Sequence, residues 1–600
     1  MNTHARTEAD PIQRPSSTRK NALMNPLKRT ILIVAAAVAS AGPALAQPHA
    51  EPRHEIAWNR YYTADQIDAH MRSLAGAYPD LVKVRSIGRS GHGRDMLLAV
   101  ITAPGSDHRA KPAMWIDGAI HANEIQAAEV ALYSVWYLAT NYGHNDKITE
   151  LLDDYAFYIL PMVNPDSRVT WFERPSTPHN RRANQMPLDS DRDGLAGEDD
   201  VNDLDGDGSI TQMWKRDPRG QWVRDRFDDR IFERVPEGEF GDWTYLGSEG
   251  IDNDGDGRTS EDTTDGHDMN RNWPADWQPD YVQRGAGAFP FSAPETRNIG
   301  EFCYEHPNIA AFQSYHNTGG MILRGPGSAH RAREYPREDL RVYDKLGQVG
   351  NEMLPYYRYM IIYADLYNVH GGEATWASEG LGVVSFTNEL WATGKYFQRD
   401  NDRPSDEQMW MFRDKLQFGT VFKDYTEIDH PEHGPVLVGG LNKWSSRSTP
   451  TFMLEEEAHR NFAFTAFHAG EMPKLAFDRT RVERLGDRLW SVTVEIRNEK
   501  IIPTRTARAR TAGIGRADLL TLEGGAVLTS GSLGDWWDTS VRETRHEPAR
   551  VRIDAGVPGQ GSIVHRFFVE ADAGTELTVR YDAEKAIDIE TTITLEPSPD

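Results

Sequence analysis

Cysteine is almost missing from this chain. Cys303 is the only one in 600 residues, so no intramolecular disulfide can form and no zinc site can be built on a set of thiolates. Basic residues are in deficit. Lys and Arg total 66 against 91 Asp and Glu, a formal net charge of −25, which argues against nucleic acid or anionic lipid as a main partner. After the first 46 residues no run is apolar enough to cross a bilayer. The motif His-Glu-x-x-His is also absent, so a hydrolytic zinc would have to draw its ligands from separated segments.

The first 46 residues read as a leader rather than as fold. From Met24 the chain shows a basic stretch (Lys28, Arg29), an apolar run from Ile31 to Ala39, and Ala44-Leu45-Ala46 before Gln47. That is the pattern of a secretory signal peptide, with residues 1–23 as an over-extended start. The apolar run is short for a membrane anchor. A periplasmic or secreted protein, free of the membrane once cleaved after Ala46, is the expectation.

From about residue 55 to 430, apolar strand candidates alternate with helical patterns. "DMLLAVITA", "PAMWIDGAI", "YAFYILPMVNPD", "IAAFQSYHN" and "GVVSFTNEL" are near-continuous apolar runs, and "NEIQAAEVALYSVWYLATNY" has helical spacing. Such strands suit an α/β fold whose mixed, mostly parallel central sheet carries helices on both faces. After a last helix near "PTFMLEEEAHRNFAFTAFHAGE", segments such as "LWSVTVEIRNE" and "TELTVRYDA" alternate apolar and polar residues between turns. They predict a C-terminal all-β, sandwich-like domain over 475–600. The division is thus a leader over 1–46, an α/β unit over 47–470 that contains an acidic insertion at 185–262, and the β unit.

In "DGAIHANEIQAAEV", His121 and Glu124 stand where a strand ends and a helix begins. Open α/β sheets place their sites there. A hydrolytic zinc needs three protein ligands and one open position. His316 closes the strand "IAAFQSYHN" and is the candidate third ligand. Glu389 sits in the otherwise apolar "FTNEL", where a carboxylate is costly to bury without a task. Its task there would be that of general base toward the attacking water.

In combination these residues resemble the zinc metallocarboxypeptidase family of the carboxypeptidase A type, peptidase family M14. "HANE" is similar to the family's His-x-x-Glu, "NPDS" at 164–167 to its Asn-Pro-Asp-Gly turn, and "DMNRNW" at 268–273 to its Asp-x-Asn-Arg-Asn segment. "SYHN", "YNVHGGEATW" and "SFTNEL" follow in family order, and Tyr367 precedes Glu389 by 22 residues, as in the family. The resemblance covers most of residues 55–430. It implies one zinc ion on His121, Glu124 and His316, the known His2Glu ligand set of carboxypeptidase A. It implies that Asn270 and Arg271 bind the C-terminal carboxylate of a peptide, a task suited to the planar guanidinium. Tyr367 would close over that peptide and Asp268 would orient the His121 imidazole. The family's oxyanion arginine has no clean counterpart, because Pro178 occupies its place. Arg181 is the adopted substitute, with Arg182 and the Trp214-Lys215-Arg216 stretch as alternatives. Ala374, seven residues after Tyr367, would line the specificity pocket, with Glu373 beside it.

The insertion carries Asp189, Asp191, Asp193, Gly194 and Asp200 at calcium-loop positions one, three, five, six and twelve. Asp203, Asp205 and Asp207 form a shorter copy, and so do Asp252, Asp254 and Asp256. Repelling carboxylates outside the cytoplasm point to calcium. A solvated acidic loop is the alternative.

The implied activity is that of a zinc carboxypeptidase acting on peptides or proteins with a free C-terminus. An amidase acting on cell-wall peptides with the same site is a second reading, and a non-catalytic binding protein on this scaffold a third. Oligomeric state is not legible.

Overall fold

The computed structural model describes residues 50–189, 193–260, 262–263, 266–397 and 404–596. The expected leader, residues 1–46, lies outside them. Among the described residues no helix is long and apolar enough to cross a membrane.

In chain order the strands up to residue 441 are β1 (Val82–Arg89), β2 (Asp95–Ile101), β3 (Ala113–Gly118), β4 (Ala156–Leu160), β5 (Gln212–Arg216), β6 (Trp222–Arg224), β7 (Phe232–Arg234), β8 (Trp243–Ser248), β9 (Ile309–Asn317), β10 (Met321–Arg324), β11 (Arg358–Ile361), β12 (Val384–Leu390), β13 (Phe422–His430) and β14 (Gly434–Leu441). Eight of them form the central sheet in the order β1-β2-β4-β3-β9-β12-β10-β11. Its middle is parallel, from β4 through β3 and β9 to β12. Pairs β1–β2, β2–β4 and β10–β12 are antiparallel, so the sheet is mixed.

Strands β3, β4 and β9 are buried along their whole length, which is why their sequences run apolar instead of alternating. One face is covered by helix α1 (Ala64–Ala77), helix α2 (Gln126–Asn141) and the helix Leu454–Gly470. Helix α1 starts at a capping box, Thr63 with Gln66, and buries Ile67, Met71 and Leu74. The other face packs Trp115 and Phe312 against Phe302 and Cys303 of the helix Pro294–Glu305 and Trp376 of the helix Glu373–Gly380. Each such large side chain contributes about 1.5–3 kcal/mol on burial.

The insertion departs from the expectation. Strands β5 to β8 join the hairpin β13–β14 in a second, six-stranded antiparallel sheet, ordered β13-β14-β5-β8-β6-β7. The hairpin therefore lies outside the central sheet, although the alternating pattern was expected to run to about residue 430. These strands are short and cohere through aromatic packing. Trp214 stacks on Phe232 with ring centroids 3.8 Å apart, and Trp222 and Tyr245 flank them. The acidic runs lie in the loops before β5 and after β8.

From Leu475 the chain forms a five-stranded and a four-stranded antiparallel sheet, with Trp490, Phe567, Leu577 and Tyr581 in the core they enclose. This unit is fastened to the α/β unit by polar contacts. Thr506 Oγ1 donates to the Gly382 carbonyl at 2.7 Å, the Ala507 and Arg508 amides donate to Asp339 at 2.8 Å, and Lys585 Nζ donates to the Pro307 carbonyl at 3.0 Å.

Candidate metal centre and its cleft

The site is assembled at the C-terminal edge of three adjacent strands. Strand β3 leads into the loop holding His121 and Glu124, and α2 starts directly after it. Gly118 permits this close turn: a Cβ there would lie 2.5 Å from the Ala127 carbonyl oxygen. Strand β9 ends in His316, and the parallel register of β9 with β12 sets Glu389 beside it.

His121, Glu124 and His316 are all buried and their ligand atoms converge. His121 Nδ1 lies 3.0 Å from Glu124 Oε1 and 3.1 Å from His316 Nδ1, which is 3.0 Å from Glu124 Oε2. Ligand bonds of about 2.0–2.1 Å to zinc imply ligand separations of about 3.4 Å, close to these spacings. The far side of the His121 ring also fits a metal ligand. Its Nε2 donates to Asp268 Oδ1 at 3.0 Å, and its Nδ1 faces the cluster. Burial works to raise the Glu124 carboxyl, yet His121 and His316 hold it well below the usual range. Burial likewise opposes the ionised form of Asp268, and Arg271, Arg182 and His121 overcome it. The donor set fits a zinc ion.

Around this centre one cleft is lined by His121, Arg182, Asn270, Arg271, Tyr367, Ala374 and Glu389. Asn270 and Arg271 lie on a 3-10 turn capped by Asp268, whose side chain accepts from the Asn270 amide. Asn270 Oδ1 accepts from the Glu373 amide at 2.9 Å, so its NH2 is the group left for a ligand. Tyr367 is 58% exposed. Burial, and then the charge of Glu124, push the Glu389 carboxyl up to about 7.

Arg181 does not reach the cleft. Its guanidinium is buried and turned toward the insertion, where Nη2 donates to Asp200 at 2.9 and 3.0 Å. Its backbone is left-handed, with φ of +61°, and the next residue faces the opposite way. That residue is Arg182, which donates to Glu124 Oε1 at 2.8 Å and to Asp268 Oδ2 at 3.2 Å. Lys215 and Arg216 belong to β5 in the second sheet, with Arg216 over the Trp243 ring.

Sequence reasoning missed Arg447. It lies in the loop after β14, and its Nη1 is 3.4 Å from Glu124 Oε1 and 3.3 Å from the Asn317 carbonyl oxygen. Its only signal was an arginine in a polar loop far from any motif. Glu373 is also resolved. It points inward, accepts from Ser314 Oγ at 3.1 Å, and is pushed up by burial and the neighbouring Asp117.

In the insertion, Asp203 and Asp205 approach Glu249, and Asp252, Asp254 and Asp256 cluster. Asp207 lies beside the first group, and its amide donates to Asp203 and Asp205. Asp189 accepts from the Gly194 amide and Asp193 from the Leu195 amide. Asp200 is taken by Arg181, and Asp191 lies outside the described residues.

The fold and site define an α/β protein with a buried His–Glu–His cluster. The chain belongs to the zinc carboxypeptidase family, whose profile matches residues 67–197 and 211–412. Residues 474–594 match a domain of unknown function, DUF8731. The chain is similar to carboxypeptidase B of Astacus astacus, 38% identical over 109 residues, which is 18% of this chain and 34% of that protein. It is similar to carboxypeptidase A2 of Mus musculus, 35% identical over 109 residues, 18% of this chain and 25% of that one. A protein of Ajellomyces capsulatus described as an inactive metallocarboxypeptidase, ECM14, is 31% identical over 146 residues, 24% of each chain. The matches thus span about a third or less of these relatives. Carboxypeptidase A from Helicoverpa armigera aligns with a TM-score of 0.43 at 18% identity, over 70% of this chain and 75% of that one.

Proposed function

We propose that this protein is a zinc-dependent carboxypeptidase that removes the C-terminal residue from peptides ending in a free carboxylate. The observation that carries this reading is the convergence of His121, Glu124 and His316 with Glu389, Arg182 and Arg271 around one cleft. Zinc, when bound, polarises the scissile carbonyl and makes water a better acid. Arg271 and the Asn270 amide bind the substrate carboxylate. That fixes the terminal peptide bond beside Glu389, which takes a proton from water and returns it to the leaving amine. Arg182, not Arg181, donates to the developing oxyanion. The pocket wall beyond Arg271 includes Leu323, Ile362, Val369, Ala374 and Thr375, and the Glu373 carboxyl on it accepts from Ser314 Oγ. An apolar C-terminal side chain is therefore the preferred leaving residue.

A non-catalytic role is the competing reading, because relatives described as inactive match at similar identity. One experiment separates the two. The purified protein is given a mixed peptide library with and without a zinc chelator, and released amino acids are identified. Release of C-terminal apolar residues that stops on chelation is expected. No release at all would favour the binding role. Equal cleavage of C-terminally amidated peptides would sink the carboxypeptidase reading in favour of an amidase.

A further inference from the structure

Asp276 is nearly buried, its side chain 10% exposed, and both its oxygens are taken by groups from other segments. Ser328 Oγ donates to Oδ2 at 2.6 Å and His370 Nδ1 lies 2.8 Å from the same oxygen. His330 Nε2 lies 2.8 Å from Oδ1. The backbone of Asp276 is left-handed, with φ of +53°. A non-glycine residue keeps that conformation when its surroundings demand it, and such residues concentrate near sites.

The three partners come from two places that matter to the cleft. His370 lies three residues after Tyr367. Ser328 and His330 belong to the turn that follows β10. Backbone bonds run alongside: the Val369 amide donates to the Gly327 carbonyl at 2.8 Å, the Gly371 amide to the Ala275 carbonyl at 3.2 Å, and the Trp273 amide to the Gly371 carbonyl at 3.1 Å. Gly371 is needed for this approach, with φ of +65° and a would-be Cβ only 2.3 Å from the Arg271 carbonyl oxygen. By contrast, residues 364–368 are exposed, Tyr367 among them. The loop thus has an exposed tip between two fixed limbs. Its C-terminal limb is fixed to the segment 268–276, the one that also carries Asn270 and Arg271.

We infer that Asp276, with His330 and His370, is a latch that positions Tyr367 over the carboxylate held by Asn270 and Arg271. Asp276 is a positioning residue and never touches substrate. Hydrogen bonds to an ionised carboxylate are the stronger kind, and three of them at one node hold the pivot of the tip in place. The tip itself stays free to swing, as an exposed segment with few packed contacts does. Removing the latch lets the pivot drift, and the tyrosine then arrives at the wrong place or too seldom. The role assigned to Tyr367 rests on the carboxypeptidase reading.

The test is a double-mutant cycle in the full-length zinc-loaded protein, joined to an exchange measurement that needs no activity. Asp276→Asn keeps the shape and removes the charge. In the otherwise unaltered protein it is expected to lower kcat/KM on a free-acid peptide about tenfold, mainly through kcat. In the Tyr367→Phe background the same substitution should cost less than about twofold, because its effect runs through the tyrosine. Equal losses in the two backgrounds would overturn the inference. Amide exchange at Val369, His370 and Gly371 should quicken in Asp276→Asn by about tenfold, while the β3 amides stay protected. Unchanged exchange at those three amides would also overturn it. If the unaltered protein releases no amino acid, the carboxypeptidase reading fails by itself, and exchange alone then decides for or against the latch.

Discussion

Arg182 Nη1 lies 2.8 Å from Glu124 Oε1, so a guanidinium sits at the edge of the metal cluster on the side that faces the cleft. Arg181, one residue earlier, spends its charge on Asp200 instead. The two neighbours therefore predict opposite outcomes. Arg182→Ala should lower kcat about 100- to 1000-fold, the loss usual for one oxyanion donor. Arg181→Ala should leave kcat within about threefold and lower stability by about 1–3 kcal/mol, since Asp200 is partly exposed and keeps water as a partner. Steady-state kinetics and urea unfolding of both variants check this. A larger loss of kcat in Arg181→Ala would show the assignment to be reversed.

Glu389 predicts a second result. Glu389→Gln should remove at least about 1000-fold of kcat while the zinc content of the purified protein stays at one ion, because the carboxylate belongs to no ligand pair in the cluster. The pH profile follows from the same residue. Its carboxyl, pushed up to about 7 by burial and then by Glu124, must be ionised to accept a proton. A bound cation works in the opposite direction, so the acid limb of kcat/KM should fall at or below pH 7 and drop about tenfold per unit beneath it. A flat profile from pH 8 to pH 5 would remove Glu389 from the role.

The sequence carried most of the central sheet and the ligand cluster, for a physical reason. Strands buried on both faces leave unbroken apolar runs, as in "AMWIDG" and "IAAFQSYHN", and the site residues stand where those runs stop. Arg181 and Arg182 could not be separated, because their opposite directions depend on one left-handed residue in a polar loop. The second sheet was hidden by composition. Strands β6 and β7 have three residues each, too short for a period to show, and the Asp-Gly runs around them dominate the segment. Arg447 was invisible because its importance comes from a contact 323 residues away in sequence.

Specificity offers a third prediction. Ala374 is buried in the pocket wall, beside Leu323 and Val369, and the adjacent Glu373 accepts from Ser314 Oγ. Peptides ending in Leu or Phe should be hydrolysed about 10- to 200-fold more efficiently than those ending in Lys or Arg. Ala374→Asp should narrow or reverse that ratio by giving a cationic side chain a partner. A native preference for basic C-terminal residues would mean that the charge comes from a group other than Glu373, and would sink this account of the pocket.

Asp518 carries the last prediction, which concerns the C-terminal unit. Its carboxyl is fully buried, and burial pushes it up to about 6 from an ordinary value of 3.8. Thr504 Oγ1 and the Tyr581 hydroxyl donate to Oδ2 at 2.6 and 2.9 Å and favour the ionised form, but they do not offset the loss of water. The folded state therefore binds this proton more tightly than the unfolded chain. Its stabilising contribution is complete below about pH 4, declines as pH rises toward 6, and is gone above that. At about 1.36 kcal/mol per unit, the decline amounts to no more than about 3 kcal/mol. Asp518→Asn has no proton to lose, so its stability relative to the unaltered protein should rise between pH 4 and pH 7. Urea midpoints of the two full-length proteins across that range measure the difference, and groups common to both cancel. A difference that stays constant with pH would show that Asp518 is ionised throughout, with its two donors outweighing burial.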